Sequence, residues 1–362
     1  MIWLTFRQFR VQAAVVFGGL AVLGAALAVS GPGLADTYDR GLASCGTENA
    51  CAHFARRFFT DHQVEYGALV VIVTALPALI GVFWGAPLVA RELESGTHRL
   101  VWNQSITRSR WLAVKLGLVG LAAMVAAGIA VRAANWWAGP LDRAAAERFP
   151  RIAPLAFGAH GIVPIGYAAF AFALGVTAGV LTRRTVPAMA ITLAVFVGVQ
   201  VAMPVWIRAH LVPPETATVA ITSKNMSQMT LDQGSEAMTV QTDAAPGAWT
   251  LENHTVDASG RAAALPGALI TGACAPPGPP PMPAPKAGAP KAGAPEAGPP
   301  DPPDGPAEKC FTEIARLGFK QKVVYQPADR FWPLQWAETG LFAVLTLGLC
   351  GVCFHWTRRR LS

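Results

Sequence analysis

Cys350 and Cys353 stand at the Cys-x-x-Cys spacing with which thiols exchange electrons or share a metal ion. That chemistry needs a polar, accessible setting, and this pair falls inside an apolar block, so both are read as small packing residues of a helix. Nucleotide chemistry is a second candidate. No Gly-x-x-x-x-Gly-Lys-[Ser/Thr] occurs in the 362 residues, so the chain has no loop of the usual kind to cradle phosphates. No residue is assigned covalent catalysis, no cofactor or metal is expected, and the chain is read as a non-enzyme. What remains is a compact charged run, Ala90-Arg91-Glu92-Leu93-Glu94-Ser95-Gly96-Thr97-His98-Arg99-Leu100, held between two apolar blocks. Charges so placed grip a partner. Arg91 and Arg99 suit acidic groups, Glu92 and Glu94 are expected early in a short helix where its dipole favours them, and Gly96-Thr97 permits a turn or a close backbone approach.

The elements that must position this run are membrane-spanning. Only 14% of residues are charged, against about a quarter in an ordinary soluble domain, and the mean hydropathy is +0.37. Six apolar blocks are read, at about Val11–Ser30, Gly67–Val89, Leu112–Val131, Phe157–Leu181, Val186–Ile207 and Leu334–Trp356. Each approaches the roughly 20 residues that cross a bilayer core, and each must be helical because backbone groups in hydrocarbon bond internally. Lys and Arg residues mark the cytoplasmic segments. Arg7 and Arg10 precede the first block, Arg91, Arg99, Arg108 and Arg110 fill the segment after the second, Arg183 and Arg184 the turn after the fourth, and Arg358, Arg359 and Arg360 the end. Both termini are therefore expected in the cytoplasm, and the +7 net charge is a topology signal rather than a nucleic-acid footprint. Trp84, Trp111, Trp136, Trp137, Trp206, Trp332, Trp336 and Trp356 fall near block ends, where headgroup-level rings are expected. The first block is too long for a signal-peptide core and is read as a retained span.

This topology puts Cys45, Cys51, Cys274 and Cys310 on the oxidising side, where Cys45–Cys51 and Cys274–Cys310 bridges are expected. The expected organisation is a membrane region over 1–207, with a coupling segment at 90–111, an extracytoplasmic loop over 208–331, and a sixth span with a basic tail over 332–362. Within the loop, Ala217–Ile221 and Met238–Thr242 read as strands. Residues 275–306 are almost wholly Pro, Gly and Ala, with an Ala-Pro-Lys-Ala-Gly repeat, and read as a disordered, extended excursion.

Ala90-Arg91-Glu92-Leu93-Glu94-Ser95-Gly96-Thr97, then Ser105-Ile106-Thr107-Arg108 and Leu112-Ala113-Val114-Lys115-Leu116, resembles the loop between spans two and three of the type-2 ABC exporter permeases. Tyr325-Gln326-Pro327-Ala328-Asp329-Arg330-Phe331-Trp332 resembles the actinobacterial branch of that family. Asn103-Gln104 stands where many relatives have a Pro, which leaves the re-entry turn open. The resemblance implies an all-α polytopic fold: an N-terminal interfacial helix, six spans, a cytoplasmic coupling helix between spans two and three, and a large extracytoplasmic loop between spans five and six. Ile2, Phe6, Phe9 and Ala13 share a face that suits the interfacial helix. It also implies a multi-pass protein of the bacterial plasma membrane, working as a homodimer or as paired permease halves with a separate cytoplasmic ABC ATPase subunit. Its coupling residues would be Arg91, Glu92, Glu94, Gly96, Thr97 and Arg99.

Ionisable residues are scarce inside the blocks. Lys115 and His355 lie near inner ends, Arg132 and Glu338 near outer ends, and His160 in the outer part of the fourth block is read as a satisfied interfacial histidine. That scarcity disfavours an ion-coupled transporter or a charged channel filter and points to a hydrophobic or amphipathic cargo. The competing reading is a membrane-anchored sensor or assembly protein with a ligand-binding extracytoplasmic loop.

Overall fold

The structure, a computed structural model, describes residues 2–96, 107–146, 149–232, 237–266, 269, 274 and 306–359. It is mostly helical and divides into two compact units, Met1–Pro213 with Pro327–Ser362, and Pro214–Gln326. The first unit holds six helical stretches long and apolar enough to cross a membrane: Phe9–Ser44, Gln63–Glu94, Arg108–Ala144, Val163–Thr182, Thr185–Leu211 and Ala328–Arg359.

In chain order these are α1 (Ile2–Ser44), the amphipathic α2 (Glu48–Asp61), α3 (Gln63–Ile80), a π-turn at Gly81–Gly85 leading into α4 (Ala86–Glu94), α5 (Arg108–Ala144), a single turn α6 (Pro154–Phe157), α7 (Val163–Thr182), α8 (Thr185–Ala202), a second π-turn at Met203–Ile207 and the short α9 (Arg208–Leu211). After the second unit, a 3-10 turn at Ala328–Arg330 opens α11 (Phe331–Arg359). The π-turn at Met203–Ile207 contains Pro204, whose missing N–H breaks the regular hydrogen-bond ladder and favours local widening. α1 runs unbroken from Ile2, so no gap separates the expected interfacial segment from the first span. Its 43 residues reach about 65 Å, roughly twice a bilayer core.

α7 is the hub, packing against α3, α4, α5, α8 and α11. Its small residues allow this. A Cβ added at Gly81 would stand 2.6 Å from the Ala171 carbonyl oxygen and one at Gly179 2.6 Å from that of Ala86, while Gly175 abuts Gly81 and the Ala86 amide. The stripe Ala171, Gly175, Gly179 is thus consumed by the π-turn and α4, as small-residue helix contacts in membranes are. Trp84 is buried in that π-turn with its ring edge-on to Phe9, and Trp111 is buried beside it. One apolar cluster takes in both rings, so neither presents its face to the surroundings of the bundle. Trp137 is likewise buried, donating from Nε1 to Ser30 Oγ at 2.9 Å, whereas Trp136, Trp206, Trp332 and Trp336 are exposed. Cys353 is buried with its sulfur 3.2 Å from Thr177 Oγ1, and Cys350 is half-buried.

The second unit is a small α+β body. Strands β1 (Glu215–Ala220), β4 (Trp249–Val256) and β5 (Lys320–Gln326) form an antiparallel sheet in the order β1-β5-β4, and β2 (Met226–Asp232) pairs with β3 (Ala237–Thr242) as a hairpin. α10 (Pro306–Arg316) places Phe311 and Ile314 in a core with Ile221, Met238, Val240 and Leu265. Gln321 is buried in this core and fully engaged, donating to Val240 O and Asn253 Oδ1, both at 2.7 Å.

Candidate functional site

The charged run extends the second span. α4 continues to Glu94, so Glu92 and Glu94 sit in its last turn, not its first; the helix dipole does not hold them there, and the expectation of an early-helix position is corrected. Other groups do. Glu92 Oε1 accepts a 2.5 Å hydrogen bond from Lys115 Nζ of α5, and that ammonium, nearly buried, also donates to Leu88 O at 3.3 Å and lies over the Trp111 ring. Glu94 Oε2 accepts from the Thr185 amide at 3.1 Å and from Thr185 Oγ1 at 2.9 Å, and so caps the N-terminus of α8 from another helix. Ser95 closes the helix through Arg91 O, and Gly96 takes φ 72°, the left-handed conformation in which a helix ends on glycine. Arg91 is exposed. Thr97 and Arg99 lie outside the described residues.

The neighbouring turn is tight. Arg183, between α7 and α8, holds φ 57°, the one non-glycine residue with positive φ among those described. At the same end Arg358 Nε donates to Ser109 Oγ at 3.0 Å. The tip of α4, the start of α5, the α7–α8 turn and the end of α11 therefore form one basic end of the bundle.

The opposite end carries two buried polar clusters that reading the sequence did not assemble. In the first, Arg208 Nε donates to Glu338 Oε2 at 2.8 Å and Nη2 to Glu338 Oε1 at 3.2 Å, while Tyr167 Oη also donates to that carboxylate. Arg208 Nη1 reaches Pro154 O at 3.1 Å, and the guanidinium lies 4.3 Å from the Phe157 ring centroid. Arg208 is 1% exposed and Glu338 0%. Residues of α7, α9 and α11 are thereby joined, with no charge left unmatched. In the second, Asp142 accepts from Tyr66 Oη at 3.0 Å and Arg151 Nε at 3.1 Å, with His160 Nε2 at 3.3 Å. His160 Nδ1 lies 2.7 Å from Ala156 O; the ring precedes α7 in a loop, is buried and has both nitrogens engaged. Gln335 links the two clusters, its Oε1 accepting from the Ile162 and Val163 amides and its Nε2 donating to His160 O. The signal in the sequence was an arginine and a glutamate each set at the end of an apolar block, where opposite charges pair.

Cys45 and Cys51 meet at bonding distance, as do Cys274 and Cys310. Among the described residues no group of His, Cys, Asp and Glu could hold a metal ion.

Six helical stretches long and apolar enough to cross a membrane, packed about a glycine-rich one among them, define a multi-pass membrane protein. A family model described as ABC-2 membrane transporter related matches residues 17–208, more than half of the chain. The chain belongs to that family and is a permease-type membrane component. No curated protein and no solved structure matches it.

Proposed function

We propose that this chain is the transmembrane subunit of an ATP-driven exporter whose ATPase is a separate polypeptide docking at the basic end. The observation that carries the reading is the tethered tip of α4. Glu92 fixes it to α5 through buried Lys115, and Glu94 fixes it to α8 through Thr185, so a push on this tip is passed to both helices. A rigid element with exposed Arg91 beside it suits an ATPase surface with acidic groups. The docking set keeps Arg91, Thr97 and Arg99 as contact residues, and Gly96 as the helix stop. Glu92 and Glu94 act by holding the tip in place.

In this reading the basic end is cytoplasmic, the Cys45–Cys51 and Cys274–Cys310 bridges are extracytoplasmic, and two copies or paired halves assemble in the bacterial plasma membrane. The cargo is hydrophobic or amphipathic, in keeping with an interior whose buried charges, Lys115 with Glu92 and Arg208 with Glu338, pair with one another. Thr177 likewise donates to Ala173 O at 2.7 Å and offers a cargo little.

Mild-detergent purification of the tagged chain, with mass spectrometry of what copurifies, tests the proposal. A stoichiometric ATPase is expected, lost in Arg91→Glu while the thermal melt stays unchanged. Purification without any ATPase, from membranes that contain one, would overturn the reading and favour a sensor whose ligand binds the Pro214–Gln326 unit.

A further inference from the structure

We infer that the outward face of α5 carries a binding site for one anionic phospholipid, with Arg132 taking the headgroup phosphate. An open groove of about 640 Å³ runs along this helix, lined by Val125, Gly128, Ile129, Arg132, Ala133 and Trp136. Positions i, i+3, i+4, i+7, i+8 and i+11, counted from Val125, fall on one stripe of the helix. From Val125 to Arg132 the rise is about 10 Å, so the groove beneath the guanidinium takes the upper part of one acyl chain. Gly128 deepens it: an added Cβ there would meet only Ile165 Cδ1, at 3.7 Å.

Charge decides the occupant. No charged residue lies between Lys115 and Arg132, so Arg132 is the first charge met along α5 on leaving the apolar run. Lys115, Arg208 and the buried carboxylates are all matched within the bundle, whereas exposed Arg132 makes no hydrogen bond or ion pair among the described residues. A guanidinium at headgroup level, above an apolar groove and beside half-exposed Trp136, complements a phosphate whose acyl chain descends along Ile129 and Val125. The planar donor set binds phosphate by two hydrogen bonds, and the indole, one turn further out along α5, suits the headgroup level. The site lies apart from the α4 tip and does not depend on the docking proposal.

The test is native mass spectrometry of the purified full chain titrated with phosphatidylglycerol or phosphatidylcholine of the same acyl chains. Phosphatidylglycerol is expected to give one tight adduct that phosphatidylcholine does not. Arg132→Gln should weaken it roughly tenfold or more, as loss of a charge-assisted pair does, while leaving the thermal melt in place. Arg132→Lys, which keeps the charge but not the paired hydrogen bonds, should recover only part of the affinity, and Arg143→Gln, on the same helix outside the groove, should retain all of it. Equal binding of the two lipids, an undiminished adduct in Arg132→Gln or an equal loss in Arg143→Gln would overturn the site. So would displacement of the lipid by inorganic phosphate alone, or a dimer that Arg132→Gln dissociates in lipid-free detergent, which would mark the groove as an interface between copies.

Discussion

Arg208 and Glu338 illustrate how a membrane bundle tolerates charge. Either ion alone, fully buried, would be left in a low-dielectric interior, whereas together with Tyr167 and the Pro154 carbonyl they satisfy one another. Replacing one partner should therefore cost more than replacing both. Arg208→Leu or Glu338→Leu alone is expected to cost about 3–5 kcal/mol, and the double change to recover most of it, as read by thermal unfolding in detergent. Equal, additive losses would mean that the pair does not act as a unit. The same logic reassigns the acids of the α4 tip. Reversing the charge of Glu92 would place it against buried Lys115, so Glu92→Lys should fail to fold, and the informative variant for docking is Arg91→Glu. Sequence alone showed that these residues were charged and where they lay along the spans. It could not show who faced whom, because Glu92 meets Lys115 across two helices and Arg208 meets Glu338 across an insertion of more than a hundred residues.

At the scale of elements, glycine placement carries the packing of α7. Gly175→Val would drive a side chain into the Gly81 and Ala86 backbone, and a loss of about 1–3 kcal/mol or outright misfolding is expected. Gly198→Val, on α8 with nothing within 4 Å, should be nearly silent in the same melting assay. In the second unit, the turn after β4 is closed by Asp257, whose carboxylate accepts from Ser259 N at 2.8 Å, Ser259 Oγ at 2.6 Å and Arg261 N at 3.0 Å. The Ser259 hydroxyl first, then the Arg261 amide, hold its pKa below the usual carboxylate range. A lowered folded-state value means that the turn's contribution is full above the unfolded value, near 4, and is lost as pH falls through the folded one. Wild type should lose stability in that acid window more steeply than Asp257→Asn, compared by melting at successive pH values. The spans were legible because long apolar runs admit one backbone solution in hydrocarbon. The strands were legible only in part: Glu215–Ala220 and Ala237–Thr242 overlap the stretches read from sequence, but Lys320–Gln326 opens by alternating exposed lysines with buried Gln321 and Val323 and declares itself only through its two partner strands. Glu92 and Glu94 were misplaced within their helix because the second apolar block ends before the helix does.

For the molecule as a whole, the Pro214–Gln326 unit has its own core and its own crosslink. The Cys274–Cys310 bridge closes a 36-residue loop, for which chain entropy predicts about 4 kcal/mol of stabilisation. Replacing Cys274 and Cys310 together by alanine, with the Cys45–Cys51 bridge intact, should lower the melting of this unit while leaving that of the helices in place, and coincident losses would show that the two units unfold together. Where this unit joins the chain, β1 and β5 pair antiparallel with Glu215 opposite Tyr325, so its first and last strands lie side by side, some 5 Å apart. Arg330 of the 3-10 turn donates to the Pro213 carbonyl, which draws the two helical flanks together in the same way. The chain leaves and rejoins the helices at almost one point. Such an arrangement is that of a cassette: a linker of a few residues from Pro213 to Pro327 spans the gap, and a six-helix core without the cassette, or with a foreign domain of similarly close termini in its place, requires no helix to change its neighbours.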